Sequence, residues 1–276
     1  MIQDIHPHLF SNTFVSKENI EANDNIFLFK DNALLLIQNA TTVSLPRKKD
    51  IENCPSSGRF LFTLNEVHCY LVLDFKIEEE ENNFIYQEIR FPNVISAPEI
   101  DWASIVALQL RNWYLQHKYC GKCGSETHAK TTERCIECSN CGNIIYPNIA
   151  PAVIVAILKG DTLLMAHNAN FPEGFYSIIA GFVDVGETVE QCIQREAMEE
   201  VGIKVKNIRY YKSQPWSYSS SLMLGFIAEA DDDAVLELDN KEIVAADWYS
   251  KDKLPDHPNT RSIAGELIEL FKKGAL

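Results

Sequence analysis

The stretch Gly181-Phe182-Val183-Asp184-Val185-Gly186-Glu187-Thr188-Val189-Glu190-Gln191-Cys192-Ile193-Gln194-Arg195-Glu196-Ala197-Met198-Glu199-Glu200-Val201-Gly202-Ile203 reads as a glycine-rich loop running into a helix. Thr188 stands where an N-cap hydroxyl belongs, and Gly202, just past Glu200, where a left-handed C-cap ends the last turn. Val189, Ile193 and Ala197 recur every fourth residue and mark one buried stripe, so the spacing predicts a helix over 188–200. The acid at its end is unusual. Glu196, Glu199 and Glu200 crowd the last turn, where the helix dipole disfavours negative charge by about 0.3–1 kcal/mol each. The i, i+4 pair of Glu196 and Glu200 adds about 0.2–0.5 kcal/mol of repulsion. A divalent cation held by these hard oxygens removes both penalties and leaves sites for water and a phosphate. Arg195 is placed to hold Glu187 and so fix the loop against the helix. The competing reading is a solvated acidic face.

Outward from this helix the chain alternates. Apolar runs predict strands over 152–158, 162–167, 208–212 and 222–228, and a helix over 260–272. The first hundred residues carry strand-like runs at 26–29, 33–37, 60–64 and 69–75, with Asp31-Asn32 placed to turn the first pair. The acidic run 78–81 predicts a solvated loop. Trp102, Ile105, Val106, Leu108, Leu110 and Trp113 recur at helical spacing and predict a helix over 101–116.

Between these halves lies a polar segment that needs an external staple. Five of the eight cysteines fall between positions 120 and 141. The spacing Cys120-x2-Cys123-x14-Cys138-x2-Cys141 supplies two thiolate pairs, each able to bite one tetrahedral Zn²⁺ from a tight turn. Gly124 and Gly142 follow the two pairs and provide the positive φ such turns demand. Cys135 makes a competing pair with Cys138, but Ser139 follows it instead of glycine, and it is left out of the ligand set. A closed four-thiolate site has no open position, which makes the expected zinc structural, one per chain. Cys54, Cys69 and Cys192 read as small apolar side chains, and the seven histidines show no ligand spacing.

The chain has 276 residues, 25 Lys and Arg against 39 Asp and Glu, and a formal net charge of −14. That balance excludes a sequence-blind nucleic-acid binder, which needs a basic surface. The longest apolar run, 149–158, is about half of what a bilayer-crossing helix requires, and the N-terminus shows no basic segment followed by an apolar one. Neither a membrane partner nor a secreted protein is expected. Clustered thiols suit a reducing, cytoplasmic setting.

The pattern Gly181-x5-Glu187-x7-Arg195-Glu196-Ala197-x-Glu199-Glu200-x-Gly202-Ile203 resembles the Nudix box at every defined position. Downstream, Ser213-Gln214-Pro215-Trp216-Ser217-Tyr218-Ser219-Ser220-Ser221-Leu222-Met223 is similar to the NADH pyrophosphatase signature, written SQPWPFPxS and followed by Leu-Met, with Ser217-Tyr218-Ser219 where that family has Pro-Phe-Pro. The same subfamily carries a four-cysteine zinc ribbon before the Nudix domain and then a Tyr-Pro-x-Ile-Ala-Pro stretch, here Tyr146 to Pro151. The resemblance implies three parts: an N-terminal β-rich domain ending in a helix (1–117), a zinc ribbon (118–147) and a Nudix α/β/α sandwich with a mixed sheet (148–276). It implies hydrolysis of the pyrophosphate bond of NAD(H) to nicotinamide mononucleotide and AMP with Mg²⁺ or Mn²⁺, in a homodimer.

By position, the resemblance makes Glu196, Glu199, Glu200 and Glu242 metal-binding and catalytic residues, and Cys120, Cys123, Cys138 and Cys141 the zinc ligands. Glu133, Tyr146, Ala180, Phe182, Ala264 and the run Gln214, Pro215, Trp216, Ser217, Tyr218, Ser219, Ser220, Ser221 match substrate positions, with Arg90 a further one. Two alternatives stay open. One is broader specificity, including the NAD cap at an RNA 5′ end, for which Lys118, Lys122, Lys130 and Arg134 would supply local charge. The other is a zinc-ribbon binding module on a catalytically silent Nudix fold.

Overall fold

The computed structural model describes residues 1–77, 83–238 and 241–276; the acidic run 78–81 lies outside the described residues. The chain divides into two compact units. One comprises Ile149–Trp216 and Ser220–Leu276 with Met1, the other Ile2–Asn148 with Ser217–Ser219.

The C-terminal unit is a six-stranded mixed sheet between two helices. Its strands run in the order Val205–Trp216, Ser221–Ala230, Ala150–Lys159, Thr162–Asn168, Ile243–Ser250, and Ile179–Phe182 pairs with Ala150–Lys159. The central pair, Ala150–Lys159 and Ser221–Ala230, is parallel and the other pairings are antiparallel. Period-two geometry explains why 149–158 reads as a continuous apolar run: both faces are covered. Val153, Val155 and Ile157 point into the cluster around Ile193, Ala197 and Val201, and Ile154 and Ala156 into the cluster around Ile263, Leu267 and Ile268. The result is an α/β/α sandwich.

In the N-terminal unit, one four-stranded sheet runs Phe10–Ser11, Arg59–Leu64, Val67–Leu71, Asn25–Phe27. A second joins Phe29–Lys30, Ala33–Asn39 and Thr42–Ser44, with Phe84–Glu88 on the free edge of Ala33–Asn39. Asp31-Asn32 does turn the first hairpin, since Lys30 pairs with Ala33 and Asp31 takes the left-handed region (φ 52°). Helix α1, Pro98–Gln116, begins three residues before the predicted start, with Pro98 in its first turn. It buries Trp102, Ile105, Leu108 and Trp113 in a core shared with Leu34, Leu36 and Phe62. The ribbon forms a three-stranded sheet of Thr127–Ala129, Ile136–Cys138 and Ile144–Ile145.

Among the described residues no helix is long and apolar enough to cross a membrane.

Candidate functional site

Helix α2, Val189–Val201, carries the carboxylates of the C-terminal unit. Both predicted caps form. The Thr188 hydroxyl accepts from the Gln191 N–H (3.2 Å), and the Gln191 side chain accepts from the Thr188 N–H (2.8 Å), a reciprocal capping box. Gly202 is left-handed (φ 71°), and the Ile203 N–H returns to the Ala197 carbonyl at 3.2 Å.

Arg195 ties the loop, the helix and a strand together. It donates to Glu187 (2.7 and 3.1 Å), to Glu196 (2.8 Å), to Glu199 (3.0 Å) and to the Phe182 carbonyl (2.9 Å). Glu187 in turn accepts from the Asp184 N–H at 2.7 Å. These bonds hold Glu187 far down, at about 2, and raise Arg195. Glu196 behaves oppositely. Burial pushes its carboxyl up against the pull of Arg195, and the charges of Glu199 and Glu242 push the same way. Glu200 is buried, while Glu242 is exposed and accepts from the Asn168 side chain at 3.2 Å.

Gly181 makes room for this arrangement. A Cβ at position 181 would lie 1.9 Å from Glu196 Oε1 and 2.0 Å from its Cδ, so only glycine lets that carboxylate lie against the strand Ile179–Phe182. One arginine thus serves a set of hard oxygens with mutual repulsion left over. Such a donor set fits a hard divalent cation.

The remaining predicted positions divide between the units. In the C-terminal unit, Ala180 and Phe182 lie on the strand Ile179–Phe182 and Phe182 is exposed, as ring stacking requires. Ala264 is buried at the start of α3, Ile263–Lys272. Pro215 and Trp216 end the strand Val205–Trp216, and both are half-buried. Ser221 is buried at the start of its strand, and the Ser220 carbonyl accepts from the Ala150 N–H at 2.8 Å. Gln214 is fully buried. Its Oε1 accepts from the Ile263 N–H (2.7 Å) and its Nε2 donates to the Arg261 carbonyl (2.9 Å), so the side chain braces the turn into α3.

The N-terminal unit holds Arg90, Glu133, Tyr146 and Ser217 to Ser219. Arg90 pairs with Glu88 at 3.2 Å. Glu133 accepts from the exposed Tyr146 hydroxyl at 3.1 Å and from Lys130 at 3.3 Å, and the Lys130 bond heads the causes that lower its carboxyl. Ser217 is buried, Ser219 exposed, and the Tyr218 ring meets Phe91 edge to face at 6.1 Å. Two of the cationic residues read as local charge for RNA have other partners: Lys130 is engaged with Glu133, and Arg134 runs inward to the Leu61 carbonyl.

Sequence reasoning missed Asn168, whose position at a strand end carries no signal, and the steric meaning of Gly181.

The sulfurs of Cys120, Cys123, Cys138 and Cys141 all lie within 4.8 Å of one another. Cys120 and Cys141 are 3.7 Å apart and Cys123 and Cys138 3.5 Å. Zn–S bonds of about 2.3 Å at tetrahedral angles place sulfurs about 3.8 Å apart, so the spacing fits zinc. Both turns are built alike. The Gly124 N–H donates to the Cys120 carbonyl (2.8 Å) and the Gly142 N–H to the Cys138 carbonyl (3.0 Å), with φ of 74° and 68°. The Ser125 N–H and hydroxyl lower Cys123 to about 6, favouring thiolate. Cys135 is buried outside this group, and burial raises its thiol.

A mixed sheet between two helices, with the glutamate-rich box on one of them, defines a Nudix-type fold. Residues 148–271 match the NUDIX domain and residues 115–146 the NADH pyrophosphatase zinc ribbon domain, so the chain carries both domains in tandem. It is 48% identical over 163 residues to the NAD-capped RNA hydrolase NudC of Klebsiella pneumoniae (strain 342), across 59% of this chain and 63% of that protein. To the NAD-capped RNA hydrolase NudC of Shigella flexneri it is 48% identical over 162 residues, across the same 59% and 63%. The chain thus spans about 63% of the length of the curated relatives it matches. A Nudix hydrolase from Nitrosomonas europaea of known crystal structure is 22% identical, with a TM-score of 0.49 over 56% of this chain and 91% of that one.

Proposed function

We propose that this chain hydrolyses the pyrophosphate bond of NAD(H), giving nicotinamide mononucleotide, reduced from NADH, and AMP, and that an NAD-capped RNA 5′ end is a second substrate of the same site. The observation that carries the reading is the carboxylate cluster at the end of α2, with Glu196 and Glu199 on Arg195, Glu200 buried on the same helix and the charge of Glu242 acting on Glu196. Relatives 48% identical over 162–163 residues are named NAD-capped RNA hydrolases, which supports this reading. In the reaction the oxygen of water bonds to one phosphorus as the bridging P–O bond breaks, and the water's proton leaves toward a carboxylate. Glu196, Glu199, Glu200 and Glu242 would hold Mg²⁺ or Mn²⁺, which when bound would supply positive charge to the diphosphate and its leaving group. Arg195 keeps the Glu187 loop and the Phe182 carbonyl registered on α2, so the carboxylates keep their places when substrate arrives. The exposed Phe182 ring offers a stacking face to a base or nicotinamide.

The ribbon holds a structural zinc on Cys120, Cys123, Cys138 and Cys141. The functional assembly is a homodimer in which Glu133 and Tyr146 serve substrate, and the clustering of thiols at a metal-binding spacing supports a reducing, cytoplasmic setting. The test is product analysis with NADH, NAD⁺ and NAD-capped RNA, each with and without Mg²⁺ or Mn²⁺. AMP should form from NADH only with metal, and Glu200→Gln should lower kcat/KM by about a hundredfold or more. Full activity in that variant, or AMP release without metal, overturns the reading.

A further inference from the structure

The N-terminal unit contains a cavity that the proposed reaction does not use. It is a small hollow of about 30 Å³, open on one side to solvent, and its wall comes from residues 14–18, residues 58–60, Tyr114 and residues 129–131. Four separate stretches of chain therefore build it, and none of them belongs to the carboxylate cluster.

The polar groups around it are mostly donors. Arg59 lays its guanidinium over the Tyr114 ring, with Cζ 5.9 Å from the centroid, and has no carboxylate within ion-pair range among the described residues. The Tyr114 ring is buried, and its hydroxyl makes no hydrogen bond to protein among the described residues and reaches solvent. Behind the wall, Arg134 stacks on Phe14 at 5.8 Å and donates through Nη2 to the carbonyls of Leu61 and Asn12. Its Nη1 is buried with no partner. Both arginines act electrostatically on the Tyr114 phenol. Lys17 and Lys130 also line the cavity, but each already holds an acid, Glu21 at 2.7 Å and Glu133 at 3.3 Å. The one acid in the wall, Glu18, is exposed.

A buried guanidinium nitrogen without an acceptor is costly. In a chain with a formal net charge of −14, two arginines left without acids around one tyrosine form an uncompensated positive spot. We propose that this cavity is a phosphate-binding site in which Arg59 and the Tyr114 hydroxyl donate to the oxyanion and Arg134 adds charge from behind. The phosphate comes either as the free ion or as the terminal group of a mononucleotide. The site is independent of the hydrolytic reading.

Titration calorimetry on the full chain, without added divalent cation, tests it with inorganic phosphate and with AMP. Binding of phosphate that Arg59→Met and Tyr114→Phe each weaken, the former by roughly tenfold or more as loss of a charge-assisted hydrogen bond predicts, supports the site. AMP binding more tightly than phosphate with the same dependence on Arg59 identifies the mononucleotide as the source; equal affinity identifies the free ion. Arg134→Met also strips the bonds to Asn12 and Leu61, so the other two variants decide, each first shown to melt like the parent in phosphate-free buffer. Absence of phosphate binding at millimolar concentration overturns the proposal. So does binding that persists in Arg59→Met, or that is lost instead in Glu196→Gln.

Discussion

The ribbon and the end of α2 both crowd groups that repel one another when ionised, and they are built on different supports. In the ribbon the sulfurs already stand 3.5 and 3.7 Å apart across the two pairs, and main-chain bonds in two matching turns put them there. In α2 the carboxylates are arranged by side chains, with Arg195 spread across Glu187, Glu196 and Glu199. A backbone-set tetrahedron is closed and suits a metal that holds a fold. Carboxylates on flexible stems around one arginine keep room for water and phosphate, which suits chemistry.

The largest effect expected from breaking this contrast is on the closed site. Cys120→Ser or Cys141→Ser should abolish retention of one zinc per chain and unfold the ribbon, because binding free energy at such sites is folding free energy. Metal analysis by mass spectrometry together with limited proteolysis reads both. Cys135→Ser, which alters a buried thiol outside the group, should keep its zinc. Loss of metal in that variant would show that the ligand register is wrong.

The open site should respond in activity instead. In Gly181→Ala the three atoms nearest the new Cβ all belong to the Glu196 side chain, so the carboxylate is displaced before the backbone is. We expect kcat to fall about ten- to hundredfold, the scale of a misplaced catalytic group, with an unchanged melting temperature. An unaltered kcat would mean that the position of Glu196 against the strand is irrelevant to turnover.

How far each region was legible follows the range of the forces that shape it. Helix α2 could be read to the residue at both caps, since capping is local and Thr188, Gln191 and Gly202 carry it. Helix α3 starts later than the predicted 260: it begins at Ile263, because the Ser262 hydroxyl caps it by accepting from the Gly265 N–H. The strand Val205–Trp216 was read as 208–212 because two register shifts against its neighbour break the alternation. Ile243–Ser250 escaped notice with Ala245-Ala246-Asp247 at its centre, and so did Ile179–Phe182, four residues that become a strand only by pairing with 152–155. Phe84–Glu88 likewise depends on a distant partner. In the site, the identity of the glutamates was legible, but the demand for glycine at 181 comes from a side chain fifteen positions along and across a packed interface.

A smaller effect separates bracing from substrate contact at Gln214. Gln214→Leu leaves the buried Ile263 N–H without its acceptor, which costs about 1–3 kcal/mol and should appear as faster hydrogen exchange at Ile263 and its neighbours. If Gln214 serves mainly as a brace, KM and kcat change together as the turn into α3 loosens. A change in KM alone, with exchange at Ile263 unaltered, would instead mark direct contact with substrate.

The smallest effect is a proton count. Arg195, seconded by the Asp184 N–H, holds Glu187 at about 2 against an ordinary carboxylate value of 4.5. Between those limits the unfolded chain binds a proton at this position that the folded chain does not. Glu187 therefore contributes stability that is full above the ordinary value and is lost as pH falls through about 2. Urea unfolding followed from neutral pH downward should show the parent losing stability more steeply in that window than Glu187→Gln, by the uptake of up to one proton. Equal slopes would mean that the Arg195 contacts do not persist in solution, and the loop would then be free of the helix. In the ribbon, where main-chain bonds set the geometry, no comparable dependence on a single arginine is expected.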